Sequence, residues 1–90
     1  MSGLAMPPAQ PPADDVTAVL DRLNGARAHR VEAVRQEDML EQALTEASDV
    51  PAVMVDYLRI ERRVARNRTT LWTRQVRQLE AMARGMGLKP

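Results

Sequence analysis

The chain has no cysteine and no phenylalanine, and Trp72 and Tyr57 are its only aromatic residues. Without cysteine there is no disulfide framework, no thiolate nucleophile and no cysteine-type zinc site. The aromatic shortage limits the core. The apolar fraction is 44%, but thirteen of those residues are alanine, so bulky side chains are few. A chain of 90 residues buries only about 60–65% of its unfolded surface even with a good core. Self-association or a partner is therefore expected to complete it. No apolar run approaches the roughly 18 residues that a membrane-spanning helix needs. The segment Met1–Asp15 has neither the basic region nor the apolar core of a secretory signal. The expected compartment is the cytoplasm, or a particle assembled there, with no membrane contact.

Catalytic and cofactor signatures are equally scarce. The four glycines match no Walker or dinucleotide pattern. His29 is the only histidine, flanked by Arg27 and Arg30, and is expected at the surface. A triad or a zinc site needs more ligands than these. Glu37, Asp38 and Glu41 form an acidic cluster that could hold a cation, but solvation is the expected state. No enzyme activity, cofactor or metal is expected.

Charge is plentiful and unevenly placed. The net charge of +1 hides two opposed halves: residues 1–50 carry four arginines against nine acids, while residues 51–90 carry eight arginines and Lys89 against Asp56, Glu61 and Glu80. Opposed blocks suggest that the halves pair with each other or that the basic half meets an acidic partner.

Residues 1–13 are expected to form a disordered tail, since Pro7, Pro8, Pro11 and Pro12 crowd a short stretch. An acidic helical segment is expected over 14–48, with Asp14 or Asp15 as its N-cap. Val16, Val19, Leu20, Leu23, Val31 and Val34 share one helical stripe. Asn24-Gly25 interrupts it, and a kink or short break is expected there. Met39, Leu40, Ala43, Leu44 and Ala47 form a second, rotated stripe, and Asp38 with Glu41 has capping-box spacing. The segment reads as two helices, or as one whose apolar face changes partner. Ser48-Asp49-Val50-Pro51 is the clearest punctuation, with Ser48 or Asp49 available as a cap. A long basic amphipathic helix is expected over 49–86, closed by Gly85 and Gly87, with 87–90 as the end of the chain. The expected fold is all-α: a helical hairpin with a long C-terminal helix, assembling into a homo-oligomer.

The long helix is the informative element. Arg59, Arg62, Arg63, Arg66, Arg74, Arg77 and Arg84 fall on one side of a helical wheel, with an apolar face opposite. Leu58, Ala65, Trp72, Leu79 and Met86 recur every seven residues as a heptad seam, which makes them candidate oligomer-interface residues. Met54, Glu61, Arg68, Gln75 and Met82 run beside them, polar in the middle. Polar residues at heptad positions are known for setting register, so Arg68 joins the interface set. The alternative is a ligand site inside a bundle, as in small helical mutases. The arginines likewise have two readings. They can face Glu37, Asp38, Glu41 and Glu46 across a hairpin, or they can meet phosphates of double-stranded DNA through Arg59, Arg62, Arg63, Arg66, Arg74 and Arg77.

The run Val76-Arg77-Gln78-Leu79-Glu80-Ala81-Met82-Ala83-Arg84-Gly85-Met86-Gly87-Leu88-Lys89-Pro90 resembles the closing helix of phage-type small terminase subunits. Those often end in a Leu-Ala-rich run followed by Gly-Leu-Thr-Pro, and Gly87-Leu88-Lys89-Pro90 stands in that place. The stretch Tyr57-Leu58-Arg59-Ile60-Glu61-Arg62-Arg63-Val64-Ala65-Arg66-Asn67 is similar to their preceding helix. Two departures are plain: these 90 residues are not expected to contain the helix-turn-helix that such subunits commonly carry, and the two matching helices are fused. The resemblance implies a reduced, gene-transfer-agent-like subunit. It would be a homo-oligomer that binds DNA weakly and non-specifically and recruits a large terminase-like motor subunit. A second resemblance, through Ser48-Asp49-Val50-Pro51-Ala52 and Tyr57, is to needle and inner-rod subunits of type III secretion systems. It implies a structural hairpin with no nucleic-acid role.

Overall fold

A computed structural model describes residues 13–90 and contains two helices, α1 (Ala13–Thr45) and α2 (Ala52–Gly85), with no strand among the described residues. They pack side by side as an antiparallel helical hairpin. The tail expected over 1–13 lies outside the described residues, apart from Ala13.

α1 differs from the sequence expectation in three ways. It runs unbroken through Asn24-Gly25 and through Arg35–Asp38, so there is neither a break at the glycine nor a second helix start. Asp14 and Asp15 are not caps but sit inside the first turn, where carboxylates favour the helix dipole. Its inner face is also one seam rather than two stripes. Val19, Leu23, Ala26 and Ala33 are buried, and the same three-and-four spacing continues through half-buried Glu37, Leu40 and Leu44. Three-and-four spacing keeps one face toward a neighbour along helices that coil slightly round each other. The line joining Leu23 to Leu40 passes through Ala26 and Ala33, which leaves Val31 60% and Val34 40% exposed.

A single internal glycine costs a helix about 1 kcal/mol. Packing of Leu23 and Ala26 on either side of Gly25 offsets that cost. A Cβ added at Gly25 would meet nothing within 4 Å. Gly25→Ala is therefore expected to stabilise the hairpin by about 0.5–1 kcal/mol, read as a rise in thermal midpoint. A fall would show that the backbone there is not plain helix.

The turn spans Glu46–Pro51. The Glu46 N–H donates to the Gln42 carbonyl at 3.0 Å, closing α1. Pro51 is itself the N-cap of α2, with φ −55° and ψ 146°, and no side chain caps the helix. Ser48 and Asp49 do not take that role. The Pro51 carbonyl accepts from Met54 N–H at 2.9 Å, the first bond of α2.

At the far end the Leu88 N–H donates to the Ala83 carbonyl and the Gly87 N–H to the Arg84 carbonyl, both at 2.9 Å. This is the Schellman pattern, and it needs a left-handed residue. Gly87 supplies it with φ 81°.

The core is thin. Its centre is Leu23, Ala26, Val76 and Leu79, with Trp72 packed against it. Among the described residues, four of the eight buried apolar ones are alanine.

Candidate nucleic-acid interface

The hairpin has two unlike flanks, and the helical repeat decides which arginine falls on which. One flank is electrostatic. Arg66 donates from Nε to Glu37 Oε1 at 3.2 Å and from Nη2 to Glu41 Oε1 at 2.7 Å. Arg62 donates from Nη1 to both Glu41 carboxylate oxygens at 3.3 Å. The Thr69 hydroxyl lies 3.1 Å from Glu37 Oε2 and from the Ala65 carbonyl. Nearer the C-terminus of α2, Arg27 meets Glu80 at 3.4 Å. These groups are half exposed, so each pair stabilises by only about 0.2–1 kcal/mol. Their consequence is register. A shift by one helical turn, about 5.4 Å, would separate all of them together.

The opposed charge blocks therefore do meet, through Arg62 and Arg66 rather than Arg59 and Arg63. Arg59 has only an exposed i,i+3 contact with Asp56 at 3.7 Å. Arg63, Arg74 and Arg77 are exposed and have no ion pair among the described residues. Arg74 and Arg77 border a shallow hollow of about 300 Å³ with Thr69, Thr70 and Thr73. Guanidinium groups beside the Thr70 and Thr73 hydroxyls offer several donors to one anion, and the fork of each arginine matches two phosphate oxygens. Thr70 and Thr73 were not among the residues expected from sequence. The signal was the spacing of Thr70, Thr73, Arg74 and Arg77 on adjacent turns of one face.

The heptad seam proposed for assembly has another place in the structure. Ala65 and Leu79 are buried against α1, and Leu58, Trp72 and Met86 are half-buried along the same seam. Ala65, Trp72 and Leu79 therefore help to close the hairpin itself, within a core shared with α1. Arg68 is exposed beside that seam, on the flank away from the ion pairs, and borders one hollow with Ala65. His29, expected alone at the surface, stacks on Trp72 with ring centroids 4.4 Å apart and planes at 16°. The residues of the mutase alternative do not converge: Glu61 and Arg68 border one hollow and Gln75 another.

Among the described residues no helix is long and apolar enough to cross a membrane. No family model, no curated protein and no solved structure matches the chain.

Proposed function

We propose that this chain is a non-enzymatic helical subunit that self-associates and holds double-stranded DNA through phosphate contacts, as a reduced small-terminase-like component that passes DNA to a large motor subunit. One observation carries the nucleic-acid part. After the hairpin has taken Arg62 and Arg66 for its own acids, Arg63, Arg74 and Arg77 remain exposed and uncompensated on a rigid helix, two of them beside threonine hydroxyls. Arg74 and Arg77 stand one turn apart and Arg63 about three turns before Arg74 on the same face, which suits a regular polyanion, and side chains that reach only phosphate carry no base readout. Binding by one hairpin is weak, and a homo-oligomer multiplies it.

The test is a titration of random-sequence duplex DNA at several salt concentrations, alongside light scattering. Affinity is expected to fall steeply with salt, at about 0.9 log units per log unit of salt for each phosphate contacted. Arg74→Ala with Arg77→Ala should lower that slope by about 2. Arg62→Ala with Arg66→Ala should lower thermal stability and leave the slope nearly unchanged. No binding at low salt, or a slope indifferent to Arg74 and Arg77, removes the DNA reading. The secretion-rod alternative predicts that result together with filament growth in light scattering.

A further inference from the structure

The flank away from the ion pairs carries a second heptad series. Met54, Tyr57, Glu61, Val64, Arg68 and Leu71 recur at alternating three- and four-residue steps, parallel to the seam that α1 covers. A helix with two such seams is built for two helical neighbours, and α1 supplies only one. Side chains that would serve as knobs stand out here: Tyr57 is 56% exposed, and Met39 of α1, beside them, is 62% exposed. Hollows lie on the same flank. One of about 380 Å³ is bordered by Met39, Glu61, Val64 and Arg68, and another of about 420 Å³ by Gly25, His29, Leu71 and Trp72. A surface with both knobs and hollows can fit itself.

The charges on this series select the occupant and its direction. From Met54 to Met82 it contains two charged residues, Glu61 and Arg68. They are opposite in sign, lie on either side of Val64, and form no ion pair within the described residues. A two-fold axis beside Val64 sets Glu61 of each copy across from Arg68 of the other, each about 5 Å along the helix from the axis. The same axis sets Tyr57 across from Leu71, about 10 Å out on both sides. A parallel pairing in register would instead place Glu61 on Glu61 and Arg68 on Arg68. The turn limits the overlap to about 40 Å, and a face two helices wide then buries roughly 800 Å² per copy, the size of a stable interface.

We propose that a second copy of this chain packs antiparallel on this flank, about a two-fold axis beside Val64, to make a four-helix arrangement that leaves Arg74 and Arg77 outside. This deepens the self-association proposed above and does not depend on DNA.

The chain lacks cysteine, so one introduced thiol reports without background. Dilute Val64→Cys is expected to oxidise to a covalent dimer, and Arg74→Cys on the outer surface is expected not to. By native mass measurement the unaltered chain should be a dimer or a multiple of dimers. Glu61→Arg alone and Arg68→Glu alone should each weaken association about tenfold or more, with helicity retained, and the double reversal should restore it. A monomeric unaltered chain at high concentration overturns self-association as a whole. An oligomer that ignores both reversals and leaves Val64→Cys uncrosslinked overturns this flank only.

Discussion

Leu23→Ala is expected to lower the stability of the hairpin by about 3 kcal/mol, enough to unfold much of the chain at ambient temperature. Leu23 is 1% exposed and belongs to the small cluster with Ala26, Val76 and Leu79. Removing its branched end loses the transfer free energy of the buried carbons and leaves a void between two rods. Neighbouring alanines are too short to fill that void. A domain of this size has only a few kcal/mol of net stability, so one core leucine is a large share of it. Val31→Ala is the paired control. Val31 was expected on the same stripe as Leu23 but is 60% exposed, so its loss should cost less than about 0.5 kcal/mol. Circular dichroism during urea unfolding reads both. Equal effects at the two positions would mean that α1 is rotated from the orientation described.

The second large effect runs the other way in volume. Ala83 is 0% exposed, on the seam of α2 that faces α1. Ala83→Leu adds three carbons where no solvent-facing side is left to receive them. The helices must separate or the new side chain must leave its preferred rotamer, at a cost of about 1–3 kcal/mol. Ala81→Leu, on an exposed position of the same turn, should stay within about 0.5 kcal/mol of the unaltered chain. Buried alanines at Ala26, Ala33, Ala65 and Ala83 let the helices approach closely, so the hairpin tolerates neither loss at Leu23 nor gain at Ala83. Thermal unfolding of the pair decides the point. An unchanged midpoint for Ala83→Leu would place that residue outside the contact.

These expectations also separate the residues by how well sequence reports them. The phase of α2 was legible, because Leu58, Ala65, Trp72, Leu79 and Met86 repeat every seven residues and the arginines other than Arg68 keep to the other side. The phase of α1 was not. Val31 and Val34, which the wheel placed beside Leu23, lie off the seam, while Ala26, Ala33 and Glu37 lie on it with Leu23, Leu40 and Leu44. Hydrophobicity is a poor guide where small residues make the contact. The candidate site divides in the same way. Arg62, Arg66, Arg74 and Arg77 are equivalent in a one-dimensional reading, since all four belong to one stripe of one helix. Only the position of Glu37 and Glu41 on the neighbouring helix distinguishes the two that are neutralised from the two that are not.

By itself, then, the amino-acid order determined that the described chain is helical, where the turn falls and which side of α2 is apolar. These follow from local periodicity, from Pro51 and from the glycines near the C-terminus. Tertiary structure decided that α1 is continuous, that the heptad seam closes the hairpin rather than facing outward, and which arginines stay unpaired. The reason is physical: a helix carries its pattern on every face at once, and only the arrival of a neighbour determines which face leaves water.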